Sequence, residues 1–352
     1  MLPRAPERGR GTVSNPDNRF HGRQSTVEDD GWYQEVPASV STEVRIEAAK
    51  SIIARNTSPD IPFDRSINPY RGCEHGCIYC FARPTHAYWD MSPGLDFETR
   101  LIAKTNAAQR LAETLDKPGY RCAPIALGAN TDPYQPIEQQ YRITRELLEV
   151  LLRYRHPVTI TTKGAMVLRD LDLLKELASQ QLVRVMISLT TLDNDLKRTL
   201  EPRAAAPGAR LRAVKVLAEA GIPVGVICAP VIPMINDHEL EAMIQAAGDA
   251  GASSAHYVLL RLPLEVAPLF EEWLAVHYPQ RAAHVLSLIR QSRGGELYNS
   301  TFGERMKGEG VFAQLIARRF AAAVKRAGLG GRERVGLDCS RFCPPGRQLA
   351  LL

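Results

Sequence analysis

Three cysteines, Cys73, Cys77 and Cys80, carry the strongest chemical signal in the sequence, with spacings of four and three residues. Thiolates are the standard ligands of iron–sulfur clusters, and a compact loop can wrap three corners of a cubane. Gly72 and Gly76 would let the loop backbone fold tightly around that core. Because the loop supplies three thiolates and not four, the spacing predicts a [4Fe-4S] cluster with one iron open to another ligand.

A zinc site is the alternative reading of the same loop. Zinc usually takes four protein ligands, and His75, His86, Cys339 or Cys343 could complete such a set. Zinc ligands usually come in two separated pairs, whereas this loop opens a predicted barrel. We therefore favour the cluster.

Strand and helix patterns alternate along the chain beyond this loop. Predicted strands lie at 124–127, 158–162, 183–189, 224–229 and 255–260, and predicted helices at 97–115, 138–153, 170–180, 209–220 and 237–247. Alternation of this kind indicates βα units and a parallel sheet. Counting from a strand at Ile67, six units are present, where a closed barrel has eight. The sequence thus predicts an α/β fold, a partial (β/α)6 TIM-type barrel with its site at the strand C-termini.

Three regions are predicted along the chain. Residues 1–40 are polar and indicate a flexible, disordered arm, although its Arg and Gly residues would also suit docking on a phosphate surface. Residues 41–268 hold the partial barrel and the cluster loop. Residues 269–352 form a helical C-terminal extension and tail.

The composition of the chain indicates its cellular compartment and limits the kinds of partner that we expect. The chain has 352 residues and a net charge of +5, which permits an anionic partner without requiring one. No apolar run is long enough to span a bilayer, and the N-terminus has no apolar segment of a secretory signal. Seven cysteines without such a signal favour metal or redox chemistry over disulfides. We therefore expect a cytoplasmic protein that does not associate with membranes.

The cysteine loop, with Tyr79 between its second and third cysteines, resembles the signature of the radical S-adenosylmethionine superfamily. Within that superfamily, the sequences of residues 58–64 and 68–77 resemble an uncharacterised bacterial family in the spore photoproduct lyase-like branch. The similarity continues through 81–86, 93–98, 131–136, 200–203 and 229–233.

The resemblance implies an iron–sulfur enzyme that binds S-adenosylmethionine at the open iron. Reductive cleavage of this cofactor would give a 5′-deoxyadenosyl radical, which would abstract hydrogen from a substrate. An electron donor such as flavodoxin or ferredoxin would be a partner. Further cofactor contacts are implied for seven positions: Tyr79, Thr131, Asp132, Lys163, Ser188, Glu201 and Arg203.

One position departs from the lyase pattern. Ala129 stands where the lyase has a hydrogen-donating cysteine, so the catalytic residue stays unassigned, with Cys339, Cys343 and Tyr257 as candidates. Cys339 and Cys343 could donate hydrogen, form a redox pair or ligate part of a second cluster, or they could simply pack in the tail.

Three functions remain open at the level of the sequence. The first is a radical enzyme acting on a nucleic acid or nucleotide, which the lyase resemblance, the basic charge and the polar arm favour. The second is radical modification of a protein or small metabolite. The third is a non-catalytic zinc-binding protein. The sequence does not indicate an oligomeric state.

Overall fold

A seven-stranded sheet forms the centre of the protein in a computed structural model that describes residues 8–21, 40–330 and 336–345. The strands are β1 Glu43–Ile46, β2 Ile53–Arg55, β3 Arg65–Ile67, β4 Tyr70–Arg71, β5 Arg100–Ala103, β6 Ile125–Leu127, β7 Val158–Thr162, β8 Val183–Ser188, β9 Val224–Val231 and β10 Ser254–Leu259. The central sheet has the order β10-β9-β8-β7-β6-β3-β2. Neighbours from β3 to β10 pair in parallel and β2 pairs antiparallel at the edge. These six parallel strands confirm the predicted α/β fold.

Helices connect the parallel strands and continue beyond β10. They are α1 Asp96–Thr99, α2 Ala107–Leu115, α3 Glu138–Tyr141, α4 Ile143–Arg153, α5 Leu171–Ser179, α6 Asn194–Leu200, α7 Pro207–Glu219, α8 Leu240–Asp249, α9 Val266–His277, α10 Ala282–Gln291 and α11 Gly310–Arg326. Short 3-10 helices lie at Arg83–Trp89, Ala165–Asp170 and Asp237–Glu239. In the described part of the chain, no helix is long and apolar enough to cross a membrane.

Two predicted helices differ from those observed. The pattern at 97–115 predicts one helix, but the chain forms α1, then β5, then α2, because β5 pairs with β1 and β4 in a separate three-stranded sheet. The pattern at 138–153 is divided at Arg142, whose φ of 53° ends α3 before α4 begins. The first difference arises from strand pairing between distant segments and the second from the backbone conformation of one residue, and a periodic pattern records neither.

The main core lies between the sheet and the helices that cover it. Ile160, Val185 and Val226 are each fully buried on adjacent strands, at 0% exposure. In α4, Ile143, Leu147 and Leu151 recur at helical spacing and are buried against this core. Burying each such side chain contributes roughly 1.5–3 kcal/mol, so this layer holds the strand ends in register.

The open side of the barrel, between edge strands β2 and β10, is bridged near the strand C-termini. The amide of Gly303 donates to Asp60 Oδ1 at 2.7 Å, and Arg305 forms an ion pair with the same carboxylate. On the other side, Leu259 N donates to Met306 O at 2.9 Å. Residues 303–306 therefore join the two sheet edges and close one wall of the space above the strands.

Residues 8–21 pack against the body of the protein, unlike the disordered arm expected over 1–40. Arg10 is 6% exposed and donates to Glu98 O at 3.0 Å and Val40 O at 2.7 Å. Asn18 Nδ2 donates to Ala87 O at 2.7 Å. These polar groups find partners far away in the sequence, which composition alone does not reveal. Residues 1–7 and 22–39 of the predicted arm lie outside the described residues.

Candidate functional site

The loop from Cys73 to Cys80 leads from β4 into the first 3-10 helix. It is built from tight turns: Gly76 N donates to Cys73 O at 3.4 Å and Cys80 N to Cys77 O at 3.2 Å. Gly72 and Gly76 have φ values of 70° and 68°. A Cβ at Gly76 would lie 2.7 Å from a Glu98 carboxylate oxygen, and one at Gly72 would lie 2.6 Å from Leu101. Both turns therefore require glycine.

A buried ion pair supports the loop from behind. Arg83 and Glu98 are each 0% exposed, and their charged groups meet at 2.6 Å. Arg83 Nε also donates to Cys77 O at 2.9 Å. Glu98 accepts the amides of Gly11 at 2.9 Å and Thr12 at 3.1 Å. Residues 10–12 therefore help to hold the loop that carries the cysteines.

The three cysteines face a cavity of about 300 Å³ above the C-terminal strand ends. All seven cysteines of the chain are described and free, and burial raises the pKa of the Cys73, Cys77 and Cys80 thiols. Thiolates here would need a bound cation to offset burial. Among the described residues, no three His, Cys, Asp or Glu side chains are spaced to hold a single metal ion. Three free thiols that face one cavity from glycine-tight turns fit a cluster.

Asp132 links the loop to two strand ends at this cavity. Its carboxylate accepts from Thr162 Oγ1 at 2.6 Å and Lys163 N at 2.7 Å, and it lies 3.3 Å from His75 Nδ1. Burial by itself would raise the pKa of Asp132, but His75 and the hydrogen bonds lower it to about 2. Asp132 is therefore a carboxylate at neutral pH.

Lys163 directly follows strand β7, and Ser188 is the last residue of the neighbouring strand β8. Lys163 Nζ donates to Ser188 Oγ at 2.7 Å and lies 5.7 Å from the centre of the Tyr79 ring. These three residues line the cavity with the cysteines and Asp132. In the described chain, no carboxylate oxygen lies within 4.0 Å of Lys163 Nζ, so this ammonium can bind an anionic group of a ligand.

Thr131, Glu201 and Arg203 do not line this cavity. Thr131 Oγ1 donates to Tyr70 O at 2.8 Å. Glu201 is buried, pairs with Arg210 at 2.7 Å and accepts from Tyr79 OH at 2.7 Å. Burial would raise the pKa of Glu201, but the charges of Arg210 and Lys163 lower it.

Arg203 instead pairs with Glu74 at 3.1 Å, and its amide donates to His75 O at 3.2 Å. In this arrangement Thr131, Glu201 and Arg203 brace the cluster loop and Tyr79 and do not face the cavity. The resemblance implies cofactor contacts for these three positions, but in this structure their side chains contact Tyr70, Tyr79 and Glu74 and do not line the cavity.

The three catalytic candidates lie away from the cavity. Tyr257 on β10 packs on Phe320 of α11, with ring centres 4.7 Å apart. Cys343 N donates to Tyr154 O at 3.0 Å, just before β7 begins. Burial and Cys339 raise the pKa of Cys122, which precedes β6, to about 12. Cys339 and Cys343 are therefore at the amino end of the barrel, opposite the cluster loop.

Several cavity residues escaped the sequence reasoning. Asn130 follows β6, Arg261 follows β10, and Met306 comes from the bridging segment. Arg261 could have been found by position, since it comes directly after the last predicted strand and the site lies at the strand C-termini. Nothing local marks Met306, because tertiary contacts alone bring it to the cavity.

Comparisons with known proteins give the family of the chain. Residues 67–247, more than half of the chain, match the Radical SAM superfamily, and the chain belongs to this superfamily. An uncharacterised protein of Mycobacterium tuberculosis is 38% identical over 233 residues, which cover 66% of this chain and 68% of that protein. An uncharacterised protein of Methanocaldococcus jannaschii is 28% identical, over 61% of this chain and 76% of that protein.

The fold is similar to that of spore photoproduct lyase. A structure of that lyase with bound S-adenosylmethionine and dinucleoside spore photoproduct has a TM-score of 0.57 and 15% identity, over 80% of this chain and 79% of the lyase chain. This likeness concerns the fold. The superfamily implies a radical S-adenosylmethionine enzyme with a [4Fe-4S] cluster and S-adenosylmethionine as cofactors.

Proposed function

We propose that Cys73, Cys77 and Cys80 hold a [4Fe-4S] cluster and that the protein reductively cleaves S-adenosylmethionine to start radical chemistry on a nucleic acid or nucleotide. One observation carries this proposal: the free thiols of the buried Cys73 and Cys77 and of the half-buried Cys80 share one cavity at the strand C-termini. The other four cysteines lie elsewhere, since Cys228 is in the core and the rest are at the amino end. The thiols around the cavity are thus a trio, which would leave one iron of a cubane open.

The bound cluster would supply an electron and S-adenosylmethionine a 5′-deoxyadenosyl radical that abstracts hydrogen from the substrate. The chain's own residues bind and orient the cofactor. Lys163 offers a positive charge for a carboxylate, Ser188 a hydroxyl and Tyr79 an aromatic face. Asp132 holds His75 and the Lys163 backbone in place.

The residue at position 129 distinguishes this protein from the lyase pattern, because it bears on how the substrate radical ends. Ala129 lines the cavity where the lyase pattern has its hydrogen-donating cysteine. Apart from the three proposed ligands, no thiol in the described chain lines this cavity. We propose that hydrogen return through a thiol at position 129 does not occur, so the reaction either ends in another way or consumes the cofactor.

A nucleic-acid or nucleotide substrate is supported by the net charge of +5 and by the fold shared with a lyase that binds a dinucleoside photoproduct. We further propose that the protein works in the cytoplasm with flavodoxin or ferredoxin as electron donor. Binding of single-stranded DNA or RNA that weakens steeply with salt would support this substrate class. Absence of binding at low salt would favour a protein or small metabolite instead.

The function is tested by purifying the protein without oxygen and reducing it in the presence of S-adenosylmethionine. We expect a brown protein that releases 5′-deoxyadenosine. Cys77→Ala should lose both the colour and the product, whereas the matched variant Cys339→Ala, far from the cavity, should keep both. Full cleavage by Cys77→Ala would contradict the ligand assignment, and a colourless zinc-loaded protein without turnover would support the zinc alternative.

A further inference from the structure

Arg261 is a cavity-lining cation that forms no ion pair with a carboxylate of the described residues. It follows β10 at the same rim as Lys163 and Ser188. Within the described residues, no carboxylate oxygen lies within 4.0 Å of its guanidinium, and its buried Nε has no hydrogen-bond partner. A guanidinium carries five N–H donors in a planar fork, and a buried donor without a partner is costly. The free donors of Arg261 therefore call for an acceptor.

The neighbours of Arg261 position it without neutralising it. Its guanidinium carbon lies 5.3 Å from the centre of the Phe81 ring and 5.9 Å from that of Tyr298. The remaining polar contacts are weak: Met306 Sδ at 3.4 Å and Tyr298 OH at 3.5 Å. Aromatic faces of this kind orient a guanidinium and leave its N–H groups available.

The charged side chains near Arg261 do not neutralise it, because the Asp60 carboxylate has other partners and Arg293 carries the same charge as Arg261. Asp60 acts on Arg261 only at longer range, and its two oxygens are taken by Gly303 N and Arg305. Within the described residues, the Arg293 guanidinium donates hydrogen bonds to backbone oxygens, including Leu260 O at 2.7 Å. Burial, together with the charge of Arg261, lowers the pKa of Arg293 to about 10. This wall of the cavity is thus electropositive.

We infer that Arg261 binds an anionic oxygen group of the substrate, a phosphate or a carboxylate. Arg261 follows β10, whereas Lys163 follows β7 and Ser188 ends β8, and β9 lies between β8 and β10. Lys163 and Ser188 already offer a cation and a hydroxyl at the place proposed for the cofactor. Planar, bidentate recognition of a carboxylate or phosphate is the chemistry that arginine suits best. The inference rests on the proposed function, because it names the substrate class of the same cavity.

A role toward the cluster is the competing explanation. A cubane with three thiolate ligands is anionic, and Phe81, which packs on Arg261, adjoins the ligand Cys80. If Arg261 served only to balance that charge, its removal would change the cluster's midpoint potential and leave anion binding unaltered. The anion response of an Arg261 variant therefore distinguishes the two explanations.

The experiment uses the full chain with its cluster, kept free of oxygen. Inorganic phosphate and acetate are titrated in separate arms against sodium chloride of equal ionic strength, and the melting temperature is followed. For the wild type we expect a saturable rise on the order of 2 °C with at least one of the two anions. Phosphate alone would assign a phosphate, acetate alone a carboxylate, and a response to both would support the shared anion site.

Matched variants complete the test. Arg261→Gln should abolish the saturable rise and Arg261→Lys should retain part of it, while Arg290→Gln, a half-exposed arginine on α10, should behave as the wild type. Anion stabilisation retained by Arg261→Gln, or absent from the wild type, would overturn the inference. Cleavage of S-adenosylmethionine without substrate is measured on the same samples. If Arg261→Gln cleaves normally but loses the anion response, both proposals stand, and if the wild type does not cleave, the proposed function fails separately.

Discussion

Removing the charge of Glu98 should weaken both the fold and the cluster site. In Glu98→Gln the side chain keeps its shape, but one acceptor oxygen becomes an NH2 donor. Glu98 Oε1 accepts from Arg83 and Thr12 N, and Oε2 accepts from Gly11 N. The amide group must therefore face an N–H group, and the fully buried Arg83 loses its counter-ion.

The expected magnitude follows from this burial. Breaking a buried ion pair by removing one partner typically costs about 3–5 kcal/mol, because the remaining charge stays buried without compensation. The matched control is Glu113→Gln on α2. Glu113 pairs with Arg110 at 2.6 Å, but its side chain is 45% exposed. An exposed helix pair of this kind contributes about 0.3–0.5 kcal/mol.

Urea unfolding of the cluster-free proteins measures both losses, and iron content after anaerobic reconstitution measures the effect on the site. Because Arg83 also holds Cys77 O, we expect Glu98→Gln to bind less iron than Glu113→Gln. Equal free energies of unfolding for the two variants, or full iron content in Glu98→Gln, would refute the argument that this pair supports the cysteine loop.

Two further predictions concern packing and pH. A Cβ at Gly11 would lie 1.8 Å from Gly76 O, so Gly11→Ala should cost about 1–3 kcal/mol in urea unfolding and lower the iron content. Gly208→Ala, whose Cβ meets nothing within 4 Å, is the control, and equal effects would contradict the prediction. Burial lowers the pKa of His156 to about 4, so the unfolded chain binds more protons between that value and pH 6.5. The free energy of unfolding should therefore decrease as the pH is lowered through this window. His156→Gln should remove about 1.4 kcal/mol of the loss that occurs on lowering the pH from 8 to 5.5. An unchanged pH profile in that variant would show that His156 does not titrate as described.

Residue spacing and hydrophobic periodicity were sufficient to predict the cysteine loop and the six parallel strands. The cysteines at 73, 77 and 80 lie close in sequence, so their shared loop follows from local chemistry. The alternation of strands and helices places Lys163, Ser188 and Asp132 at one rim, because parallel strands end on the same side of a sheet. All three line the cavity.

Contacts between distant segments decided the position of the N-terminal segment, of the catalytic candidates and of one wall of the cavity. Residues 8–21 look like a polar arm in sequence, yet Glu98 satisfies their amides and holds them against the cysteine loop. Tyr257 faces α11, and the tail cysteines reach the opposite end of the barrel. Met306 meets the cavity only once the bridging segment joins the sheet edges, and only the packed chain shows that no carboxylate among the described residues pairs with Arg261. Burial and partner choice are properties of the packed chain, and no single segment encodes them.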